Sequence, residues 1–138
     1  MKKNTEELVN EIMEGKNMAE YLASNAEEFL DIPLCAHLKE LLKKKGMRVS
    51  QVADRSNKGE YIYQVFRGIK NPGRNVVLCI ALAMKLNLEE TQYLLRIGRM
   101  VCLDARNRRD SIVIFGIVRG ISVAEVNDIL YEFGEDCL

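Results

Sequence analysis

Residues 48–68 read RVSQVADRSNKGEYIYQVFRG. Ser50 is a favourable N-cap, and the QVADRS stretch behind it forms a short helix. Asn57 tolerates the left-handed backbone that a tight turn needs. A second helix starts near Lys58 or Gly59 and stops at Gly68. Ala53, four residues before Asn57, is small enough for the two helices to cross closely. Val52, Ile62, Val65 and Phe66 can anchor the second helix. Lys58, Glu60, Tyr61, Tyr63, Gln64 and Arg67 then face outward.

The rest of the chain extends this pattern into an all-α fold. Proline occurs only at Pro33 and Pro72, and no stretch alternates apolar and polar residues as a half-buried strand would. Upstream, Thr5 opens a short amphipathic helix with Leu8, Val9, Ile12 and Met13. Met18–Leu30 is a second helix, ended by the approach to Pro33. Leu34–Lys45 places Leu34, Leu38, Leu41 and Leu42 on one face and stops at Gly46. Downstream, Asn71-Pro72-Gly73 is a turn, and a helix opening at Arg74 or Asn75 is apolar on nearly every side, as a central core helix is. Leu88–Ile97 follows, closed by Gly98. An apolar helix from about Asp110 to Val118, with Asp110 as its cap, and a last helix behind Ser122 complete the chain.

A weak repeat at an offset of 35 residues pairs Glu90, Leu94, Leu95, Cys102 and Leu103 with Glu125, Ile129, Leu130, Cys137 and Leu138. The glycines after the two helices are out of step by one. This predicts one helix-and-tail design used twice, not a true array.

Composition bounds the function. With 138 residues, 48% hydrophobic and 29% charged, the chain suits one compact domain with an appendage. No signal-peptide pattern is present, and the apolar run at 112–118 is too short to span a bilayer. The expected location is cytoplasmic. Cys35, Cys79, Cys102 and Cys137 have no CxxC or metal spacing and read as buried apolar thiols, so no metal or other cofactor is expected.

The zero net charge hides segregation. Residues 1–31 carry three Lys against eight acids, net −5. Residues 32–109 carry sixteen Lys and Arg against six acids, net +10. Residues 110–138 carry one Arg against six acids, net −5. A basic middle between acidic ends suits a polyanion-binding module with non-contacting flanks. Catalytic motifs are missing: there is no Gly-rich phosphate cradle behind a strand, no HExxH and no GxSxG. His37, the single histidine, sits on an apolar helix. The acid pairs fall in first or exposed helical turns. No enzyme is expected. Arg106, Arg108 and Arg109 could bind phosphate or an acidic partner, or serve as a polar linker before the Asp110 cap.

Over Leu34–Gly98 the chain resembles the Cro/C1-type (XRE-family) helix-turn-helix proteins. LKELLKKKG, VSQVADRS, YIYQVFRG and NPGRNVVLCIALAMKLNLEETQYLLRIG follow that family's five-helix order. It also looks like a subgroup of small bacterial proteins with YxYQxFxG, a PxR turn, an ETQxLL helix, an RRD segment and a final helix resembling VNDILYEFGEDCL. From Ala53 to Ile62 is nine residues, where the family pattern has ten. If Tyr63 is the anchor instead, the helix rotates by about 100°.

The resemblance implies an acidic N-terminal helical extension (1–31), a helix-turn-helix DNA-binding domain (32–98) and a C-terminal helical pair (99–138) packed on that core. It implies sequence-specific binding of double-stranded DNA by a bacterial transcriptional regulator, with the helix at about 58–67 in the major groove. Gln51 would contact phosphate. Lys58, Glu60, Tyr61 and Gln64 would face the groove, and Arg67 is exposed beside them. Lys70 and Arg74 flank a helix N-terminus that favours an anion. A homodimer is expected because one short helix reads only a half-site. The C-terminal pair is then the dimer or partner surface. The rival expectation is a signalling or kinase-linked adaptor that keeps the fold without binding DNA, favoured by Glu60 and by the large C-terminal half.

Overall fold

The computed structural model describes residues 3–138, which are helical with no strand. They form two compact units, one ending at Asp31 and the other spanning Ile32–Leu138. No helix of the described residues is long and apolar enough to cross a membrane.

In the first unit, α1 (Thr5–Met13) is capped by Asn4, whose side chain accepts from the Glu7 N–H at 2.8 Å. α2 (Met18–Ser24) is capped in the same way by Asn17. It stops well before Leu30. Asn25 is buried and its amide returns to the Tyr21 carbonyl at 3.0 Å, so the chain leaves the α-helix and makes a single 3-10 turn, Ala26–Glu28. Lys3 Nζ meets Glu11 at 3.0 Å and Asn25 at 2.7 Å.

In the second unit, α3 (Leu34–Lys45) buries Leu38, Leu41 and Leu42 and ends at Gly46, whose φ of 63° completes a left-handed cap. α4 (Val49–Arg55) begins two residues earlier than its sequence suggests. Arg48 takes the N-cap place, and Ser50, the expected cap, lies inside the first turn. α5 (Glu60–Phe66) follows. α6 (Arg74–Ala83) buries every residue from Val77 to Ala83 and forms the centre of the core. α7 (Leu88–Ile97), α8 (Arg108–Arg119) and α9 (Val123–Glu132) complete the unit. The cap of α8 is Asn107, which accepts from the Asp110 N–H at 2.9 Å. Asp110, expected as the cap, is free for another task. α8 and α9 pack on α6 and α7, so the C-terminal pair shares one core with the helices before it.

The 35-residue repeat is in register throughout 74–103 and 109–138. Asn87 with Glu90 and Ser122 with Glu125 make matching capping boxes at the starts of α7 and α9. Left-handed residues fall at Lys85 and Gly120, and again at Arg99 and Gly134. Gly98, which looked out of step, is not the left-handed residue. Arg99 is, at φ 56°. Each tail is then clamped alike. Gln92 Oε1 accepts from the Leu103 N–H at 2.8 Å, and Asn127 Oδ1 from the Leu138 N–H at 2.7 Å. Arg74 donates to the Val101 and Cys102 carbonyls, and Arg109 to those of Asp136 and Cys137.

The two copies face each other reciprocally. Arg74 of the first reaches Asp110 of the second, and Arg109 of the second reaches Asn75, the position equivalent to Asp110, of the first. Lys85 bonds the Gly120 carbonyl at the far end, so α6 and α8 run parallel about a local two-fold axis. Gly116 lets α9 pack closely on α8, because a Cβ there would collide with Val126 Cγ2.

Candidate nucleic-acid interface

The α4–turn–α5 segment holds six of the eight residues expected to meet DNA. Its turn is built from three devices. Ser56 is fully buried, donates from Oγ to the Ala53 carbonyl and accepts from the Lys58 N–H. Asn57 is left-handed at φ 62°. Gly59, at φ 57° and ψ −133°, occupies a region essentially closed to side-chain-bearing residues. The Gly59 N–H closes the loop on the Ala53 carbonyl at 3.3 Å. The glycine had no assigned role in the sequence beyond a helix start. Its place directly before the helix was the available signal.

Ile62 is the anchor. It is fully buried together with Val65, and Phe66 is nearly so. This sets the rotation of α5. At 100° per residue, the direction opposite Ile62, Val65 and Phe66 carries Glu60, Gln64 and Arg67. Tyr61 and Tyr63, both expected to face outward, form the two shoulders and are half-buried against the core. Tyr63 lies nearer to the outward ridge. Glu60 and Arg67 are exposed, while Gln64 is half-buried and its carbonyl accepts from the Ile69 and Lys70 N–H groups.

Gln51 is half-buried in the first turn of α4, with its Oε1 accepting from the Arg48 N–H at 2.9 Å. Its amide N–H₂ still points a donor pair away from that cap. Lys58 is half-buried and Lys70 exposed. Arg48 and Arg55, which sequence reasoning left out, are exposed on α4. Among the described residues, Arg48, Arg55, Lys58, Arg67 and Lys70 form no ion pair.

Arg74 departs from expectation. Its Nη1 and Nη2 grip the two Asp110 oxygens at 3.0 and 2.9 Å, and Nε and Nη2 take the Val101 and Cys102 carbonyls. Four of the five guanidinium N–H donors are spent in this way, and the one that remains is on the Nη1 already bound to Asp110. Burial pushes the Asp110 carboxyl up, but the Arg74 hydrogen bonds, the Asp104 N–H and the charges of Arg74 and Arg109 together bring it below the usual range. Arg109 is engaged with the Asp136 carbonyl of the C-terminal tail, and Arg108, though exposed, with Glu135 and the Phe133 carbonyl. Only Arg106 of that trio keeps an exposed side chain with no bond of its own.

The remaining titratable groups are structural. His37 packs edge-on against Tyr93 at 5.2 Å, and burial holds its pKa below the ordinary value. Of the four thiols expected to be buried, only Cys79 is, and burial raises its pKa; Cys35 and Cys102 are half-buried and Cys137 is exposed. Cys35 lies in the first turn of α3, and Cys102 and Cys137 lie in the two tails of the repeat, where their Sγ donate to the Gln92 and Asn127 carbonyls. Compared with family models, with curated proteins and with solved structures, the chain matches none.

Proposed function

We propose that α3–α7 form a Cro/C1-like helix-turn-helix core and that the chain binds double-stranded DNA sequence-specifically, as a transcriptional regulator. The observation that carries this reading is the outward ridge of α5. Glu60, Gln64 and Arg67 stand opposite a buried Ile62, behind a turn held by left-handed Asn57 and Gly59. Gln is a bidentate reader of adenine and Arg of guanine, while Glu accepts from cytosine N4. Four further cations, Arg48, Arg55, Lys58 and Lys70, border that ridge in sequence, form no ion pair among the described residues and supply phosphate contacts. Arg74 is removed from the contact set. A dimer follows from the shortness of α5, whose seven residues span one half-site at most.

Four phosphate contacts give a salt slope of about −3.6, so affinity falls roughly 150-fold between 50 and 200 mM salt. A salt-titrated mobility shift on genomic fragments tests the proposal, with wild type beside Lys58→Ala/Gln64→Ala. Retardation at low salt that the double variant loses is the expected result. No retardation at low salt defeats the regulator reading.

A further inference from the structure

The outer face of the C-terminal pair is the structural equivalent of a face that is occupied in the first copy. α7 receives α3 along Glu90, Tyr93, Leu94 and Ile97. Lys44 and Lys45, in the last turn of α3, pair with Glu90 at 3.6 and 3.0 Å, and His37 stacks on Tyr93. Leu94 and Ile97 are buried there. The same positions of α9 are Glu125, Asp128, Ile129 and Glu132, and nothing of α3's kind lies on them among the described residues. Instead they border a groove lined by Ser111, Ile112, Phe115, Ile129, Glu132 and Phe133. Phe115 is 44% and Phe133 50% exposed, far beyond a core aromatic. Glu125 is engaged only with its own cap, and Asp128 and Glu132 have no cationic partner among the described residues.

We propose that this face is a docking site for a basic amphipathic helix of a partner protein, one that meets α9 as α3 meets α7. Two independent features select that occupant. The local two-fold relates the empty face to one closed by a helix with an apolar stripe and three lysines in its last turn. The charge agrees, since Glu125, Asp128 and Glu132 are the exposed carboxylates of this face, while Asp110 is engaged by Arg74, Glu135 by Arg108, and Arg119 lies over the Phe115 ring at 4.9 Å. An acidic helix would meet three facing carboxylates and is disfavoured. The inference does not rest on DNA binding.

The test uses the full chain and a synthetic peptide of residues 33–46 with Cys35→Ser, followed by NMR titration of the protein without DNA. Saturable shifts confined to α8 and α9 are expected. Binding should weaken at least tenfold in Phe115→Asp and several-fold in Asp128→Lys/Glu132→Lys, both exposed positions whose variants keep the wild-type circular dichroism. A scrambled peptide of the same composition should bind no better than these variants. Shifts that never saturate, equal binding of the scrambled peptide, or indifference to Phe115→Asp overturns the proposal. So does sedimentation showing that the protein alone is a dimer which Phe115→Asp dissociates, because the face would then be self-complementary.

Discussion

Replacing Arg74 with alanine should destabilise the protein more than alanine at any residue of the α5 ridge, Glu60, Gln64 or Arg67, and the size of the effect follows from what it leaves behind. The Asp110 side chain is 8% exposed and that of Arg74 26%. Without the guanidinium, Asp110 keeps the Asp104 N–H at 3.1 Å and loses both charge-assisted bonds. Breaking a buried pair from one side costs about 3–5 kcal/mol. Solvent reaches part of the Arg74 side chain, which argues for the lower end, about 3 kcal/mol. For a unit of this size that is a fall in Tm of roughly 10–15 °C. Urea unfolding by circular dichroism, with an unchanged m-value, reads it directly. Arg74→Lys should recover less than half, because an ammonium cannot reproduce the fork on two carboxylate oxygens and two carbonyls. Adding Asp110→Asn to Arg74→Ala should cost little more, giving a large coupling in the double-mutant cycle. A loss under about 1 kcal/mol, or a coupling near zero, would refute the assignment of Arg74 as the lock of the repeat. A folded Arg74→Ala variant that has lost DNA binding at every salt concentration would return Arg74 to the interface.

Two further outcomes follow from the same geometry. Asp110 has its pKa depressed in the folded state, so its contribution is fully present above the unfolded carboxylate value near pH 4 and is lost as pH falls through the lower folded value. Acid unfolding of Asp110→Asn should therefore show a shallower slope below about pH 4 than wild type; identical slopes would mean that the pair does not contribute in solution. Gly59→Ala should cost about 1–3 kcal/mol through backbone strain alone, since no atom lies within 4 Å of where its Cβ would be. Thermal unfolding checks it, and a neutral substitution would mean that the turn relaxes to another conformation.

The elements legible in the sequence were those with strong local punctuation. Gly46 and Ser122 marked helix ends because caps act over three or four residues. The nearly uniform apolarity of α6 placed it at the centre. The choice between Ile62 and Tyr63 as anchor could not be made locally, since both are large and apolar enough; only burial against the other helices decides it. α2 was read too long because Asn25 suits a helix surface as well as the buried turn it makes. The intramolecular role of Arg74 went unread for a similar reason. A basic residue behind a Pro-Gly turn reads as an anion site, and its true partner lies 36 residues away.

The repeat held the missing information about Arg74. Arg109 stands at the equivalent place, and each arginine ties down the carbonyls of its own tail two residues before that copy's closing leucine and at the cysteine next to it. A residue that recurs with the same duty in a copy lacking the α4–α5 turn serves the repeat, not the turn. The same reasoning explains why α6 is buried all round. One side faces α8 across the local two-fold and another faces α4, while α7 takes α3. The second copy has the first of these contacts only. Its outward side keeps apolar residues, Ile112, Phe115 and Ile129, where a surface helix under no further constraint would carry polar ones. The local two-fold thus separates two kinds of surface on one fold. The first copy is consumed in supporting the α4–α5 ridge, and the second retains the side that the first has filled.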